Sequence, residues 1–573
     1  MILRSYNFMI KLFERDGLND PKGKNGKIVR IFTFSVLFVL TFLRYCYFGL
    51  QYYAQLDDYI QYGLQEASTN RWGYIKYMGL LKSRPFAGVF DEMVWSRFFS
   101  HMVIALLILT ALYVLSAMLF ESVFRRRFGT SILFSVIYLL LPLNFEGAYW
   151  ISASSRLIPS LFFCSLCFWL LDRYYATFEP ENSAKNPVLK KIALLVGYVF
   201  FGLFAVSFYE QGLLLYASLG MLVFLSEIFR SRSKRSFVSL LFLIPCAVYF
   251  LFTHFQPESI YYSGRMVLHM PWEEGYFKWM FLPTLGQIGK ITVNCNLLAL
   301  GKGFVRGIGI IGSAPNILWC AVLLIAIAAL FFIVRVPERV SKKGSIGEWL
   351  FYAIVLIIAP LSVFFIVGVE PYVSCRNILA SFPGAALLVD GLLLLCFRRR
   401  RLPVRIFAVV FAFCACVASV SEIYDYKQTH DDDMRVVGTV SNIPEISAKI
   451  FGISPTYLDD MNYMKNEHLH GCTESNWALS GCTTWKLGYS VDFVPLNIED
   501  GKYYAAWNMA AYRIREGDAV YAYDYTENTL EKLTVVFDIQ SEDGEAMSFY
   551  REDGSLYGTA EQTDREGWFT PAQ

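Results

Sequence analysis

Apolar residues fall in long unbroken runs as far as Ser421 and in short alternating runs beyond it. A helix needs about 20 apolar residues to cross the hydrocarbon of a bilayer, because each residue rises ~1.5 Å. The runs predict about eleven spans, starting with Ile28–Leu50, Val94–Phe120, Thr130–Leu143, Leu157–Leu171, Ile192–Phe208 and Gly212–Ile228. They continue with Phe237–Thr253, Pro315–Val334, Trp349–Val367, Ile378–Cys396 and Val404–Ser421. Between them His254–Ala314 is a long loop, whose Trp279–Leu300 stretch suits a re-entrant or interfacial helix. The last region reads differently. Tyr503–Tyr512, Ala519–Tyr525 and Leu533–Ile539 are rich in aromatic and β-branched residues. Turn signals at Glu516-Gly517-Asp518 and Glu542-Asp543-Gly544 punctuate them, which predicts short strands.

Basic residues stay on the cytoplasmic side during insertion. Lys22, Lys24 and Lys27 precede the first span, so the N-terminus is expected inside. Under that threading Arg125–Arg127, Lys190 and Lys191, Arg230–Arg235, Lys342 and Lys343, and Arg398–Arg401 all fall on the same side. The tail is then outside. The first span is too long for a signal peptide and lacks a small-residue cleavage site, so it is read as a retained anchor. The expected organisation is a cytoplasmic segment 1–27, an all-α polytopic membrane bundle 28–421 and a soluble, β-rich extracytoplasmic domain 422–573.

Composition sharpens this division. Hydrophobic residues make up 55% of the 573 positions and charged residues 17%, against roughly a quarter charged in an average soluble domain. With a mean hydropathy of +0.40, that excludes a disordered chain and argues against a fully soluble enzyme. The net charge of +2 is a cancellation: residues from Glu422 onward carry 27 acids and 11 bases, those before it 22 acids and 40 bases. Nothing in this pattern points to nucleic acid. Of 12 cysteines, all but Cys472 and Cys482 sit within or near the spans, where the thiol behaves as a small hydrophobe. That pair, flanked by matching Gly-Cys-Thr triplets, suits either a disulfide on the exported side or two free thiols.

Ionisable residues near a membrane are costly, so their positions are informative. The first outer loop holds Gln55-Leu56-Asp57-Asp58-Tyr59 and, before the second span, Ser83-Arg84-Pro85-Phe86. Adjacent carboxylates there serve either as a solvated loop start or helix N-cap, or as a general base or metal ligand. Glu146 and Arg156 bracket an aromatic segment that includes Trp150; they suit a structural ion pair or a site for an anionic head group. Tyr209-Glu210-Gln211-Gly212 places a carboxylate in a loop of almost no length. Glu370 to Arg376 puts an arginine at the outer start of a helix, where its planar fork suits a phosphate. All four sets lie on the outer side, whereas the inner loops carry plain basic clusters. No ionisable set near mid-membrane of the sort a coupled transporter needs is evident. Walker A, H-E-x-x-H, G-x-S-x-G and Cys/His ligand spacings are absent. His254 and His269 read as loop residues rather than metal ligands.

At these residues the chain resembles the membrane glycosyltransferases of the C-type fold, which take sugar from a polyprenyl phosphate. The order of blocks is most similar to the transmembrane O-mannosyltransferases that carry tetratricopeptide repeats. That family's acidic pair resembles Asp57-Asp58, and its Arg-Pro-Leu resembles Arg84-Pro85-Phe86. Its Pro-x-His-x-Glu-Ala-Val followed by a later Arg is similar to Pro142 through Ala148, with Glu146, and then Arg156. Its Lys-Glu-x-Gly looks like Tyr209-Glu210-Gln211-Gly212, and its Glu-Arg-x-Leu-x-x-Pro-Ser is similar to Cys375 through Leu379 and Ser381. The resemblance covers about residues 28–400. Asn144 stands where the family has His. The repeats are absent too, so the chain looks more like a bacterial relative, with undecaprenyl rather than dolichyl phosphate as carrier.

The resemblance implies transfer of one sugar from a lipid-phosphate donor to an acceptor hydroxyl of a glycan, lipid or protein at the outer face. Asp57 would be the general base, and Asp58 would position the acceptor or a divalent metal; no other cofactor is implied. Arg84, Arg156 and Arg376 would hold the departing lipid phosphate. Glu146 and Glu210 would orient those arginines or bind sugar hydroxyls. Tyr149, Trp150 and Tyr209 suit either sugar stacking or interfacial anchoring. Two other classes fit the same sequence: a polysaccharide or lipid-sugar transporter or flippase without bond chemistry, and a scaffold whose tail binds cell-wall polymer.

Overall fold

The chain is described here from a computed structural model. It covers residues 24–572 except 60, 62–69, 78, 142–145, 180–186, 232–233, 258–266, 335, 337–344, 369–370, 454–470, 506–508 and 542–543. Lys22, Pro142, Leu143, Asn144, Lys342, Lys343, Glu370 and the turn residues Glu542 and Asp543, singled out above, therefore lie outside the described residues.

The protein is a polytopic helical bundle with a β-barrel at one end. Among the described residues, ten helices are long and apolar enough to cross a membrane. The elements used below are α1 (Gly26–Leu43), α2 (Pro85–Met93), α3 (Trp95–Phe128), α4 (Leu133–Leu140) and α5 (Ile151–Ala176). Then come α6 (Val188–Phe208), α7 (Glu210–Arg230), α8 (Lys234–His254), α9 (Phe277–Ser313) and α10 (Ile317–Ile333). The last are α11 (Ile346–Phe365), α12 (Cys375–Cys396), α13 (Arg401–Val440) and α14 (Asn476–Leu487). Helix α5 packs along both α3 and α6 and forms the middle of the bundle. Its Phe168 meets Phe120 and Phe124 of α3, which in turn touch Tyr138 and Phe134 of α4.

One expectation about the spans needs correction. Over its described residues, 130–141, the expected span Thr130–Leu143 is helical only at Leu133–Leu140, eight residues that rise only ~12 Å. Every one of them is buried, so this stretch is shielded from lipid by other helices and a short, broken path is tolerated. It still connects the two ends of the bundle, from Ser131 at Asp390 to Glu146 at Arg376. Helix α9, 37 residues long, contains the Trp279–Leu300 stretch expected to be re-entrant or interfacial, and its contacts favour the interfacial reading. Phe281 stacks on Phe365, Gln287 Nε2 donates to Pro371 O at 2.8 Å, and Arg306 pairs with Asp425. At its far end Tyr47 OH donates to Ala314 O at 2.6 Å. All these partners are at one end of the bundle, so α9 lies flat across it. Gly307 permits close contact there, since a Cβ would stand 2.2 Å from Val417 O.

Helix α13 has 40 residues, a rise of ~60 Å and about twice the hydrocarbon thickness. The compositional break at Glu422 therefore falls within a continuous helix, whose second half leaves the bundle and supports the barrel. The strands are β1 (Ser447–Phe451), β2 (Asp492–Glu499), β3 (Lys502–Tyr504), β4 (Val520–Asp524), β5 (Thr529–Ser541), β6 (Gly544–Tyr550), β7 (Leu556–Gln562) and β8 (Gly567–Pro571). They close in the order β1-β2-β3-β8-β7-β6-β5-β4, with β1 parallel to β2 and β4 and the other pairs antiparallel. Phe451, Leu496, Tyr503, Met547 and Phe549 fill the interior. The expected strand Tyr503–Tyr512 is only partly one: β3 is short and Met509–Tyr512 forms a 3-10 turn. Ile450, Phe493 and Tyr521 join the bundle core through α13 and α14, so bundle and barrel share one continuous apolar interior. The two ends of the bundle are called below the barrel face and the arginine face, the latter carrying Arg125–Arg127, Arg230 and Arg398–Arg401.

Candidate functional site

After α1 the chain turns along the barrel face. Arg44 is buried, donating from Nε to Ser419 Oγ at 3.1 Å and from Nη1 to Leu139 O at 2.9 Å. The following loop is knotted around Asp58, whose side chain is fully buried. One carboxylate oxygen accepts from Ser152 Oγ (2.6 Å) and Ser152 N (3.1 Å). The other accepts from Tyr52 OH (2.5 Å) and Gln55 N (3.1 Å). Burial pushes this carboxyl up to about 7 against the pull of its donors. Gln55 Nε2 reaches Tyr426 O at 3.1 Å, and Tyr59 OH meets His430 Nδ1 at 3.2 Å. Helices α5 and α13 thus hold the loop from two sides.

Asp57, next to this knot, is half-buried. Leu56 before it has φ +29°, a conformation that costs a branched side chain about 1–3 kcal/mol and that collects at functional sites. The knot at Asp58 stabilises the strained turn that presents Asp57. Asp57, Glu146, Tyr209 and Tyr372 are the groups whose charge bears on Arg376.

Arg376 stands in the first turn of α12. Glu146 accepts from its backbone N at 3.3 Å and faces its Nη1 at 3.3 Å; Trp150 lies under the guanidinium at 5.4 Å. Ser374 and Asn377 form a reciprocal cap at this helix start. Asn377 Nδ2 also donates to Tyr209 OH at 3.2 Å. The same Tyr209 ring lies 4.4 Å from the Arg84 guanidinium, and Arg84 Nε sits 2.8 Å from both Glu210 oxygens. Tyr209 therefore joins the two arginine–glutamate pairs. The tight Glu210-Gln211-Gly212 corner depends on its glycine, because a Cβ at Gly212 would stand 1.9 Å from Ser160 Oγ.

Arg156 is placed differently. Its Nε bonds Asp91 Oδ2 at 2.8 Å, Ser155 Oγ donates to Asp91 Oδ1 at 2.9 Å, and Arg156 and Asp91 side chains are 12% and 2% exposed. It lies one turn beyond Ser152, the partner of Asp58, on α5. Sequence reasoning passed over Asp91, Ser152, Tyr52 and Asn377. The signal for Asp91 was available: Pro85 at the first position of a helix predicts that Asp91 and Glu92 are helical, and helical carboxylates at a membrane boundary need partners.

Cys472 and Cys482 are buried thiols in hydrogen-bonding contact with each other, so the two triplets do meet. A second pair went unforeseen: Cys375, beside Arg376, and Cys295 of α9 have their sulfurs 3.0 Å apart. Counting both as membrane cysteines hid this contact. Among the described residues no three His, Cys, Asp or Glu gather as metal ligands, and both Asp58 oxygens are already engaged by N–H and O–H donors. His269 bonds Glu273, four residues on, and Gly368 O after the end of α11.

No family model and no curated protein matches the chain. Among solved structures, it is similar to the crystal structure of ArnT from Cupriavidus metallidurans bound to undecaprenyl phosphate. The identity is 16% and the TM-score 0.36, over 82% of this chain and 90% of that one.

Proposed function

We propose that this protein transfers a sugar from a polyprenyl-phosphate-linked donor to an acceptor hydroxyl at the extracytoplasmic face of the membrane. The observation that supports it most is the gathering at the barrel face of Asp57, Glu146 and Arg376, with Arg84 and Glu210 linked through Tyr209. These come from four loops distant in sequence, and they are the positions that resemble the polyprenyl-phosphate-dependent transferases.

The chemistry in this proposal uses one base and a cationic exit. The Asp57 carboxylate takes the acceptor's hydroxyl proton. The acceptor oxygen bonds to the anomeric carbon as the bond from that carbon to the phosphate oxygen breaks. The leaving lipid phosphate gains negative charge, which Arg376 and Arg84 stabilise, preorganised by Glu146 and Glu210. Asp58 positions the loop. Arg156, held by Asp91, supports the α5 surface beneath it and extends the cationic path. No step is routed through a metal.

The test is a purified preparation in bilayer discs given radiolabelled undecaprenyl-phosphate sugars and membrane acceptors. Sugar transfer that wild type performs and Asp57→Asn does not, with lipid binding intact in both, is the expected result. Movement of lipid-linked sugar across the membrane without bond formation would favour a flippase instead.

A further inference from the structure

A cavity of about 490 Å³ opens at the arginine face, remote from the site above. It lies between α1, α3, α5 and the end of α10. Its walls are apolar, with Met118 and Trp169 among them, and its polar lining includes Arg30, Arg125, Arg173 and Glu121. Glu121 pairs with Arg125 one turn away on α3. The Arg173 guanidinium lies 5.3 Å from the centroid of the Trp169 ring, a contact that holds the cation at the mouth. Arg30 and Arg173 are exposed there.

We infer that this cavity binds the phosphate head group of an anionic membrane lipid, with part of the chain along its apolar wall. Topology alone asks only for basic residues in the loops on this side. Here three arginines from three helices line one cavity, with Glu121 the one carboxylate in that lining and Asp172 and Glu179 acting on Arg173 from outside it. An apolar trough with a cationic mouth is complementary to an amphiphile with a phosphate head, since guanidinium groups fork onto phosphate oxygens. Basic pockets between membrane helices recognise anionic head groups by the same chemistry. Such a lipid fills the space that α1, α3 and α5 leave between them and ties their ends together.

The test uses the full chain extracted from vesicles of equal phosphatidylglycerol and phosphatidylcholine, with retained lipid read by native mass spectrometry. Wild type is expected to keep phosphatidylglycerol about tenfold over phosphatidylcholine. Arg30→Gln and Arg173→Gln should each bring that ratio close to parity, the loss of one charge-assisted contact being worth about tenfold. Met118→Trp fills the trough without touching the cations and should also abolish retention. Inorganic phosphate at millimolar concentration should not displace the lipid. Equal retention of both lipids by wild type, or an unchanged ratio in the arginine variants, overturns the proposal. Displacement by inorganic phosphate, or lipid retention unchanged in Met118→Trp, overturns the lipid assignment in favour of a soluble phosphate.

Discussion

Glu146 grips Arg376 twice, through the backbone N–H and through the guanidinium, across 230 residues of chain. The carboxylate is 1% exposed and the arginine side chain 29%. The contact fixes where α12 begins and which way its cation faces. Glu146→Gln should remove the charge but keep the shape. Because Arg376 retains water, we expect a loss of about 1–2 kcal/mol rather than the 3–5 of a wholly buried pair. Thermal denaturation measures that part. Donor affinity should fall further than stability does, and an affinity equal to wild type would remove Glu146 from the site.

Asp57→Asn is expected to abolish sugar transfer while leaving expression and melting temperature near wild type. The group is half-buried beside a strained backbone position, and its neighbour Asp58 makes the structural bonds. General-base catalysis typically contributes 10²–10⁴-fold, so the variant's turnover should drop by about that factor. Transfer at the normal rate would sink the assignment.

Which parts of this arrangement were legible in the sequence follows from range. The bundle, the change of grammar near Glu422 and the positions of Asp57, Arg84, Glu146, Glu210 and Arg376 are local signals: runs of apolar residues and isolated charges at their ends. Partners are not local. That Arg156 belongs to Asp91, or that Cys295 meets Cys375, depends on how helices pack. α4 escaped for another reason. Hydropathy measures transfer to an apolar phase and cannot separate lipid from protein interior, so a buried eight-residue helix reads like a span. For α9, length and apolarity suited two placements, and only its contacts with Phe365, Asp425 and Tyr47 decide between them.

Asp58 should make stability depend on pH. Its folded-state carboxyl sits at about 7, above the ~3.9 of an exposed aspartate. A group raised in this way is most stabilising when protonated, below the unfolded value, and that stability is lost as pH rises through about 7. The melting temperature should therefore fall between pH 4 and pH 8, by an amount worth at most about 4 kcal/mol. Asp58→Asn should flatten the curve while losing part of the knot to Tyr52 and Ser152. A wild-type curve already flat over that range would contradict the burial argument.

The arginines separate donor binding from topology. Arg84→Lys and Arg376→Lys keep the charge but lose the planar fork, so donor affinity should drop about ten- to a hundredfold. Arg156→Lys should differ, because its Nε bonds a nearly inaccessible Asp91 at 2.8 Å. There the main effect is expected on melting temperature, with a smaller change in affinity. Titration of undecaprenyl-phosphate sugar against the three variants decides the matter. If all three bind like wild type, the phosphate site lies elsewhere.

The cysteine pairs test which side of the membrane the barrel face occupies. In an oxidising compartment, a disulfide-exchange oxidant would join Cys472 to Cys482, and Cys295 to Cys375, two thiols giving up two protons and two electrons for each bond. In the cytoplasm both pairs would stay reduced. With the basic clusters of the opposite face on the cytoplasmic side, as their charge leads us to expect, the barrel is outside, and protein taken from intact cells and denatured under acid should then resist alkylation at Cys472 and Cys482 until reductant is added. The first bridge closes a short loop and should contribute about 2–3 kcal/mol; the second would tie α9 to the turn that carries Arg376. A membrane-impermeant protease added to intact cells gives the independent check. Cleavage within the barrel with both thiols alkylated would leave the orientation standing and remove the disulfide. Protection of the barrel together with reduced thiols would reverse the orientation, and with it the face at which transfer is proposed.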